Sequence, residues 1–430
     1  MAKSKKFNKF WVVAVDMGYG HQRAAIPLEE FAEGGIIDAN TYPGIPASDK
    51  RVWEESEKFY NFISRQKDRN WLGSLAFGIF DMFQAIDAFY PAHWHLFPTL
   101  QLRQIYRQIK NGWGRHLIDK LSKNPLPLFT TFFGVAHMAE YWHYPGPIYC
   151  LTTDSDISRA WAPMEPNKSR IIYLASTERA AARLRQYGVH PQNIRLTGFP
   201  LPDILVGEAD EGARAAILRR LPKLDPMGTY LNKFGALVKE NIGISEYPES
   251  TKVAPPLHVL FAVGGAAAQM RLGEEILIGL APLLAKGDAR LTLVAGTSKL
   301  VRDYFLDKIR QSRLVEQVHI LFTESKKSYF RAFNEALASA DILWTKPSEL
   351  SFYGALGLPI IIAPPVGAQE IQNRKWLIYL DAGFDQIAPT AAYEWLPDLL
   401  EAGTLARIAM NGYLQIPRDG KKKILREILS

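Results

Sequence analysis

Cysteine is almost missing from this sequence. Cys150 is the single one, so no disulfide can close within the chain, and the composition points to a reducing, intracellular setting. Long uncharged apolar runs are missing too: none approaches the roughly 20 residues of a membrane-spanning helix. The opening MAKSKKFNKFWVVAVDMGYG is basic at its start, as a signal peptide is. Its apolar stretch Trp11–Val15 is nevertheless shorter than the about 7–15 residues of a leader core, and it reads instead as a first buried strand. No set of His, Cys and carboxylates has metal-ligand spacing, and no Gly-x-Ser-x-Gly elbow occurs. Zinc-finger, RNP and helix-turn-helix patterns are absent, which sets nucleic acid aside. The net charge of +7 and pI of about 9.2 then favour anionic lipid or phosphorylated substrates.

What is present is an alternation of strands and helices. A chain of 430 residues, 47% hydrophobic and of mean hydropathy −0.10, is too long for one core and predicts two domains. Strands are expected at 11–16, 128–132, 148–152, 171–175 and 194–198, with helices at 23–32 and 177–188. A second series is expected at 257–263, 290–295, 318–322, 341–345 and 359–363. This rhythm implies α/β architecture, with two Rossmann-like doubly wound domains facing across a cleft. The expected division is 1–207, with an aromatic and basic insert at 50–125; a linker or irregular excursion at 208–255, where prolines and glycines weaken the periodicity; a second domain at 256–413; and a basic C-terminal helix at 414–430.

The segment DILWTKPSELSFYGALGLPIIIAPPVGAQEIQN, 341–373, reads as strand, turn, helix over 350–356 capped by Gly357, and strand, a βαβ unit. Parallel sheets bind ligands beyond the C-terminal ends of their strands. Lys346, Ser348 and Glu349 follow one strand there, and Gln369, Glu370 and Asn373 follow the next. Lys346 can neutralise a diphosphate or simply pair with Glu349, and the polar trio can bond sugar hydroxyls or cap a helix.

Gly18 and Gly20 let the backbone after the first strand approach a ligand, and His21 stands ready as a base; the same residues also suit a plain strand-to-helix turn. Asp154 in LTTDSDISRAW either deprotonates an acceptor or closes an Asx-turn. His137 either lines the same cleft or lies in the core. Gly264, Gly265 and Thr297 follow second-domain strands without a full dinucleotide fingerprint. In the insert, aromatics including Trp71, Phe77 and Phe80 precede Arg103, Arg107 and Lys110, which share one helical face. The insert either covers the sheet or rests on a membrane, with rings dipping in and cations meeting phosphates.

The ordered set DMGYGHQRAA, LTTDSDISRAW, ASTERAAARLRQYGVHPQNIRLTGFPLPD, HVLFAVGGAAA, LVAGTSKL and 341–373 resembles GT-B glycosyltransferases, in the branch of monogalactosyldiacylglycerol synthases, processive diacylglycerol glucosyltransferases and the lipid II N-acetylglucosaminyltransferase. The resemblance covers most of the chain and lapses over 50–125 and 208–255. It implies transfer of a sugar from a nucleotide donor, UDP-linked, to a lipid or lipid-linked acceptor by a protein peripheral on the cytoplasmic face of an anionic membrane, with no metal or other cofactor. Carried over by position, His21 is catalytic or acceptor-side; Asp154 stands beside it as the other candidate base, with Gly18, Gly20 and His137 as acceptor-side candidates. Gly264, Gly265, Thr297, Phe322, Lys346, Ser348, Glu349, Gln369, Glu370 and Asn373 bind the nucleotide sugar. Two features depart from the family pattern: Pro347-Ser348-Glu349 replaces a small glycine-bearing loop, and Gly354 stands where a ribose-binding glutamate is usual. They leave a non-catalytic binding or scaffold protein as one alternative; a nucleotide-sugar epimerase, which shares the fold, is another.

Overall fold

The computed structural model describes residues 7–55, 86, 88–91, 96–246, 256–262 and 269–430. They divide into two compact units. The first draws on Met1–Leu201, Val366–Asn373 and Asp419–Ser430, the second on Pro202–Pro365 and Arg374–Arg418.

In the first unit β1 (Trp11–Ala14), β2 (Ile37–Asp38), β3 (Leu128–Thr130), β4 (Ile148–Leu151), β5 (Ile172–Ala175) and β6 (Ile194–Leu196) form one parallel sheet in the order β2-β1-β3-β4-β5-β6. Val12–Ala14 and Ile148–Leu151 are buried throughout, as strands covered on both faces must be. From β1 the chain goes to β2 on one side and then returns to β3 on the other, so the strand order reverses between β1 and β3. Trp53 and Trp113 meet edge to face at 4.7 Å in the core beside Ile118, Leu128 and Ile148. The Gly420–Leu429 helix belongs to this unit. Its Ile424 and Ile428 are buried, Lys421 pairs with Glu30 at 2.6 Å, and Tyr149 and Arg195 bond Glu427 at 3.0 Å each. A Cβ at Gly420 would collide with the Phe199 carbonyl.

The second unit repeats the plan. β7 (Leu257–Ala262), β8 (Ala289–Gly296), β9 (Val318–Phe322), β10 (Ile342–Thr345), β11 (Ile360–Ile362) and β12 (Gly383–Asp385) are parallel in the order β12-β11-β10-β7-β8-β9. Here the order reverses between β7 and β10. Thr345 lies opposite Ala262, so these two strands end level with one another. At the opposite, N-terminal ends of these strands, buried Asp341 accepts from Arg219 (2.7 Å), Lys223 (2.8 Å) and the His258 N–H (2.9 Å). Both halves are thus doubly wound α/β, as the alternation of the sequence implies.

Several local expectations need correction. Residues 208–255, expected to be irregular, carry helices Glu211–Leu224 and Leu231–Ile242. Pro222 sits inside the first of them, but in its last turn, where one lost hydrogen bond does not end the helix. The first helix spans Gly20–Ala25 and tightens to a 3-10 turn over Ile26–Phe31, because Pro27 lacks the N–H that would continue it. The expected helix at 350–356 is a 3-10 helix, Glu349–Leu356, closed by Gly357 at φ 67°. Gly354 packs closely here: a Cβ on Gly412 would stand 2.6 Å from the Gly354 carbonyl, and a Cβ on Gly354 itself 3.0 Å from the Ile416 side chain, so helix Thr404–Gln415 and this turn meet backbone to backbone, with glycine required at 412. The basic C-terminal helix begins at Gly420, while 414–415 end the preceding helix.

Candidate functional site

The loop leaving β1 is held by hydrogen bonds from both neighbouring strands. Gly18 takes φ +96°, with open space where a Cβ would point, so glycine is suited to the turn. Asn40 clamps the loop from the β2 side, accepting from the Asp16 N–H (2.8 Å) and donating to its carbonyl (3.0 Å). The helix then starts at Gly20, which makes His21 its second residue. His21 is half-buried. Its Nδ1 lies 2.7 Å from the Thr131 carbonyl, and its ring meets Phe132 edge to face at 5.3 Å. A carbonyl only accepts, so Nδ1 carries the proton and the neutral ring keeps its lone pair on Nε2. Thr131 directly follows β3, so this bond spans the point where the strand order reverses. Sequence reasoning missed Thr131 and Asn40; their only signal is position after a strand.

Asp154 and Asp156 follow β4 and have different surroundings. Asp156 is buried and receives Nε and Nη2 of Arg183 at 2.9 and 2.8 Å, a paired structural carboxylate. Asp154 is half-buried, and its Oδ1 accepts from Asn373 Nδ2 at 2.9 Å. The backbone around them is fixed: Ser176 Oγ donates to the Asp154 carbonyl (2.8 Å) and Thr177 Oγ1 to the Ser155 carbonyl (2.6 Å). Asn373, expected to bind the donor, is fully buried and also accepts from the Ser155 N–H at 2.8 Å. Glu370 accepts from the Val366 N–H at 2.7 Å, reaching back to the helix start as a capping glutamate does. Gln369 beside it is half-buried. These three residues group with the first unit, not with the remainder of 256–413 as the sequence implies.

His137, expected on the acceptor side, is a core residue. It is fully buried, its Nε2 donates to the Ala160 carbonyl at 2.9 Å, and Tyr106 and Phe133 flank the ring. Burial, aided by the Arg159 charge, pulls its pKa from 6.5 down to about 4. His258, held by Thr292 at 2.8 Å, is lowered to about 4 chiefly by burial. Between pH 6.5 and 4 the unfolded chain takes up protons that these folded histidines refuse. Stability is therefore complete above about pH 6.5 and falls as the pH drops through that window, by about 3 kcal/mol per histidine over its full width. Urea unfolding between pH 7.5 and 4.5 checks this: a His137→Phe protein is expected to show a shallower pH slope than the parent.

In the second unit the expected residues lie at successive strand ends. Lys346, Ser348 and Glu349 follow β10, Thr297 follows β8, and Phe322 ends β9. Gly264 and Gly265, after β7, lie outside the described residues. Lys346, Ser348 and Glu349 are half-buried, and Ser348 Oγ caps the 3-10 turn by accepting from the Leu350 N–H at 3.4 Å. The Arg302 guanidinium stacks over Phe322 at 4.6 Å, a cation that sequence reasoning missed. Lys326, the first residue of helix Lys326–Ser339 after β9, has its pKa lowered by burial.

Among the described residues no group of His, Cys, Asp and Glu could hold a metal, and no helix is long and apolar enough to cross a membrane. Trp71, Phe77 and Phe80 lie outside the described residues. Arg103, Arg107 and Lys110 are exposed on helix Leu100–Lys110, whose Leu102 and Ile109 are buried. Phe97 and Leu100, exposed by 86% and 66%, stand just before and at its start.

No protein-family model matches the chain. A processive diacylglycerol beta-glucosyltransferase of Bacillus licheniformis is 21% identical over 278 residues, covering 63% of this chain and 59% of the relative. The chain thus matches less than two thirds of that relative's length. Among solved structures, UDP-GlcNAc 2-epimerase from Neisseria meningitidis, bound to UDP-GlcNAc, aligns over 86% of this chain and 95% of its own at 13% identity, with a TM-score of 0.47. A glycosyltransferase from Rickettsia africae aligns over 99% and 100% at 13% identity, with a TM-score of 0.40.

Proposed function

We propose that the protein is a GT-B glycosyltransferase that moves a sugar from a UDP-sugar to a lipid hydroxyl at an anionic membrane surface. One observation carries the reading. In both sheets the strand order reverses next to the polar loop singled out in the sequence: His21, bonded to Thr131, between β1 and β3, and Lys346 beside the β7 end. Such reversal points are where open α/β sheets take ligands.

In this reaction His21 Nε2 accepts the proton of the acceptor hydroxyl. The freed oxygen attacks C1 of the sugar, the bond from C1 to the diphosphate oxygen breaks, and UDP departs with the bonding pair. Displacement from the opposite face inverts C1. Lys346 meets the charge on the departing diphosphate, Phe322 and Thr297 hold the nucleoside, and Gln369 and Glu370 hold the sugar. Arg103, Arg107 and Lys110 meet lipid phosphates, with Phe97 and Leu100 entering the interface. The glucosyltransferase relative makes UDP-glucose and diacylglycerol the first pair to test.

Purified protein should release UDP from UDP-glucose when vesicles of phosphatidylglycerol and diacylglycerol are present, and should float with those vesicles. Arg103→Glu, Arg107→Glu and Lys110→Glu together should abolish flotation. Failure to bind or turn over any UDP-sugar in the presence of vesicles sinks the proposal. Conversion of the sugar without an acceptor replaces it with an epimerase.

A further inference from the structure

The Asp154–Asn373 pair takes no part in the reaction just described, yet its amide is held at both ends. Resting on the UDP-sugar reading, we infer that Asp154 is a positioning residue: through Asn373 it fixes the first turns of helix Ala368–Tyr379, and so sets Gln369 and Glu370 for the donor sugar.

The geometry is specific. Asn373 is fully buried and uses both ends of its amide, donating to Asp154 Oδ1 at 2.9 Å and accepting from the Ser155 N–H at 2.8 Å. The loop that holds it cannot drift. Ser176 and Thr177 hydroxyls bind the carbonyls of Asp154 and Ser155, and Asp156 is locked to Arg183 by two hydrogen bonds. On the helix, Asn373 lies four residues after Gln369 and three after Glu370, and such residues share one face. Holding the Asn373 amide at two atoms therefore sets both the rotation and the depth of that face. Glu370 is further tied to the helix start through the Val366 N–H. His21 has a different arrangement: its anchored nitrogen is the protonated one, bonded to the Thr131 carbonyl. The carboxylate oxygen of Asp154 is instead committed to holding Asn373.

The test is a swap. Asn373→Asp sets two carboxylates against each other, and Asn373→Ala removes the contact. Adding Asp154→Asn to Asn373→Asp rebuilds the bond with donor and acceptor exchanged, and the Ser155 N–H keeps an oxygen to bond. Isothermal titration should find UDP-glucose bound about tenfold or more weakly by both single variants and near parental strength by the swap. UDP, which lacks the sugar, should bind all of them alike. Without any ligand, amide hydrogen exchange over 154–156 and 367–373 should quicken in Asn373→Ala and recover in the swap, a readout independent of donor binding.

A swap that binds UDP-glucose as weakly as Asn373→Asp overturns the inference and assigns Asn373 to the sugar itself. A swap that binds normally but turns over nothing overturns it in favour of Asp154 as the base. Normal UDP-glucose binding by Asn373→Ala overturns it alone and leaves the UDP-sugar reading intact. A parent protein that binds no UDP-sugar overturns both.

Discussion

His21→Gln is expected to slow sugar transfer by about 10²–10⁴-fold, the usual contribution of a positioned general base, while UDP binds as before. Two features make the loss large. The Thr131 carbonyl fixes the tautomer, so the ring presents its lone pair at Nε2 in the neutral state. The contact with Phe132 fixes the ring plane, so reaching the acceptor costs little further ordering. Glutamine keeps a side chain of similar reach but cannot take up the proton. The acid limb of the pH profile of kcat/KM, set by the imidazole in the free enzyme, should disappear with the substitution. The measurement is initial UDP release across pH with UDP-glucose and diacylglycerol vesicles. A variant as fast as its parent removes His21 from the chemistry.

Asp156→Ala is expected to destabilise the first unit by about 3–5 kcal/mol, the cost of orphaning one member of a buried ion pair. The Arg183 side chain is 1% exposed and that of Asp156 4%, so water cannot replace the lost carboxylate. The Ile157 N–H also loses its acceptor, Asp156 Oδ1, at 2.8 Å. Replacing both partners with apolar residues, Asp156→Leu with Arg183→Met, should recover most of the loss, since no buried charge is then left unpaired. Urea denaturation followed by tryptophan fluorescence reads both variants. A single substitution costing less than about 1 kcal/mol, the ordinary effect of a point mutation, contradicts this account.

The sheets were legible in the sequence because their strands are short apolar runs such as Ile148–Leu151 and Ile342–Thr345, buried throughout. β2 and β12, of two and three residues, are too short to show a pattern and exist by pairing with longer neighbours. Proline density misled over 208–255, because Pro226 lies in the short break between helices Glu211–Leu224 and Leu231–Ile242 and looks in sequence like part of a linker. Gly354 was readable only as a missing glutamate. Its packing against Gly412 depends on two helical segments 58 positions apart meeting at their backbones, which no local pattern records. The candidate site was legible as loops after strands. The sequence could not say which of two aspartates two residues apart pairs with a buried arginine, since that depends on where Arg183 projects from the next helix. His137 looked like a site residue because histidine is chemically versatile, and burial decided otherwise.

The Gly420–Leu429 helix has a consequence for synthesis. Its residues complete the first unit, covering Tyr149 and Phe199, yet they leave the ribosome more than two hundred positions after Leu201. At about 5–20 residues per second, the delay is roughly 10–45 s. During that interval β4 and β6 lack the partners of Tyr149 and Arg195, so their covering surface is open to chaperones while the second sheet, contiguous apart from one short excursion, can already fold. The sheet begun first is thus the one finished last.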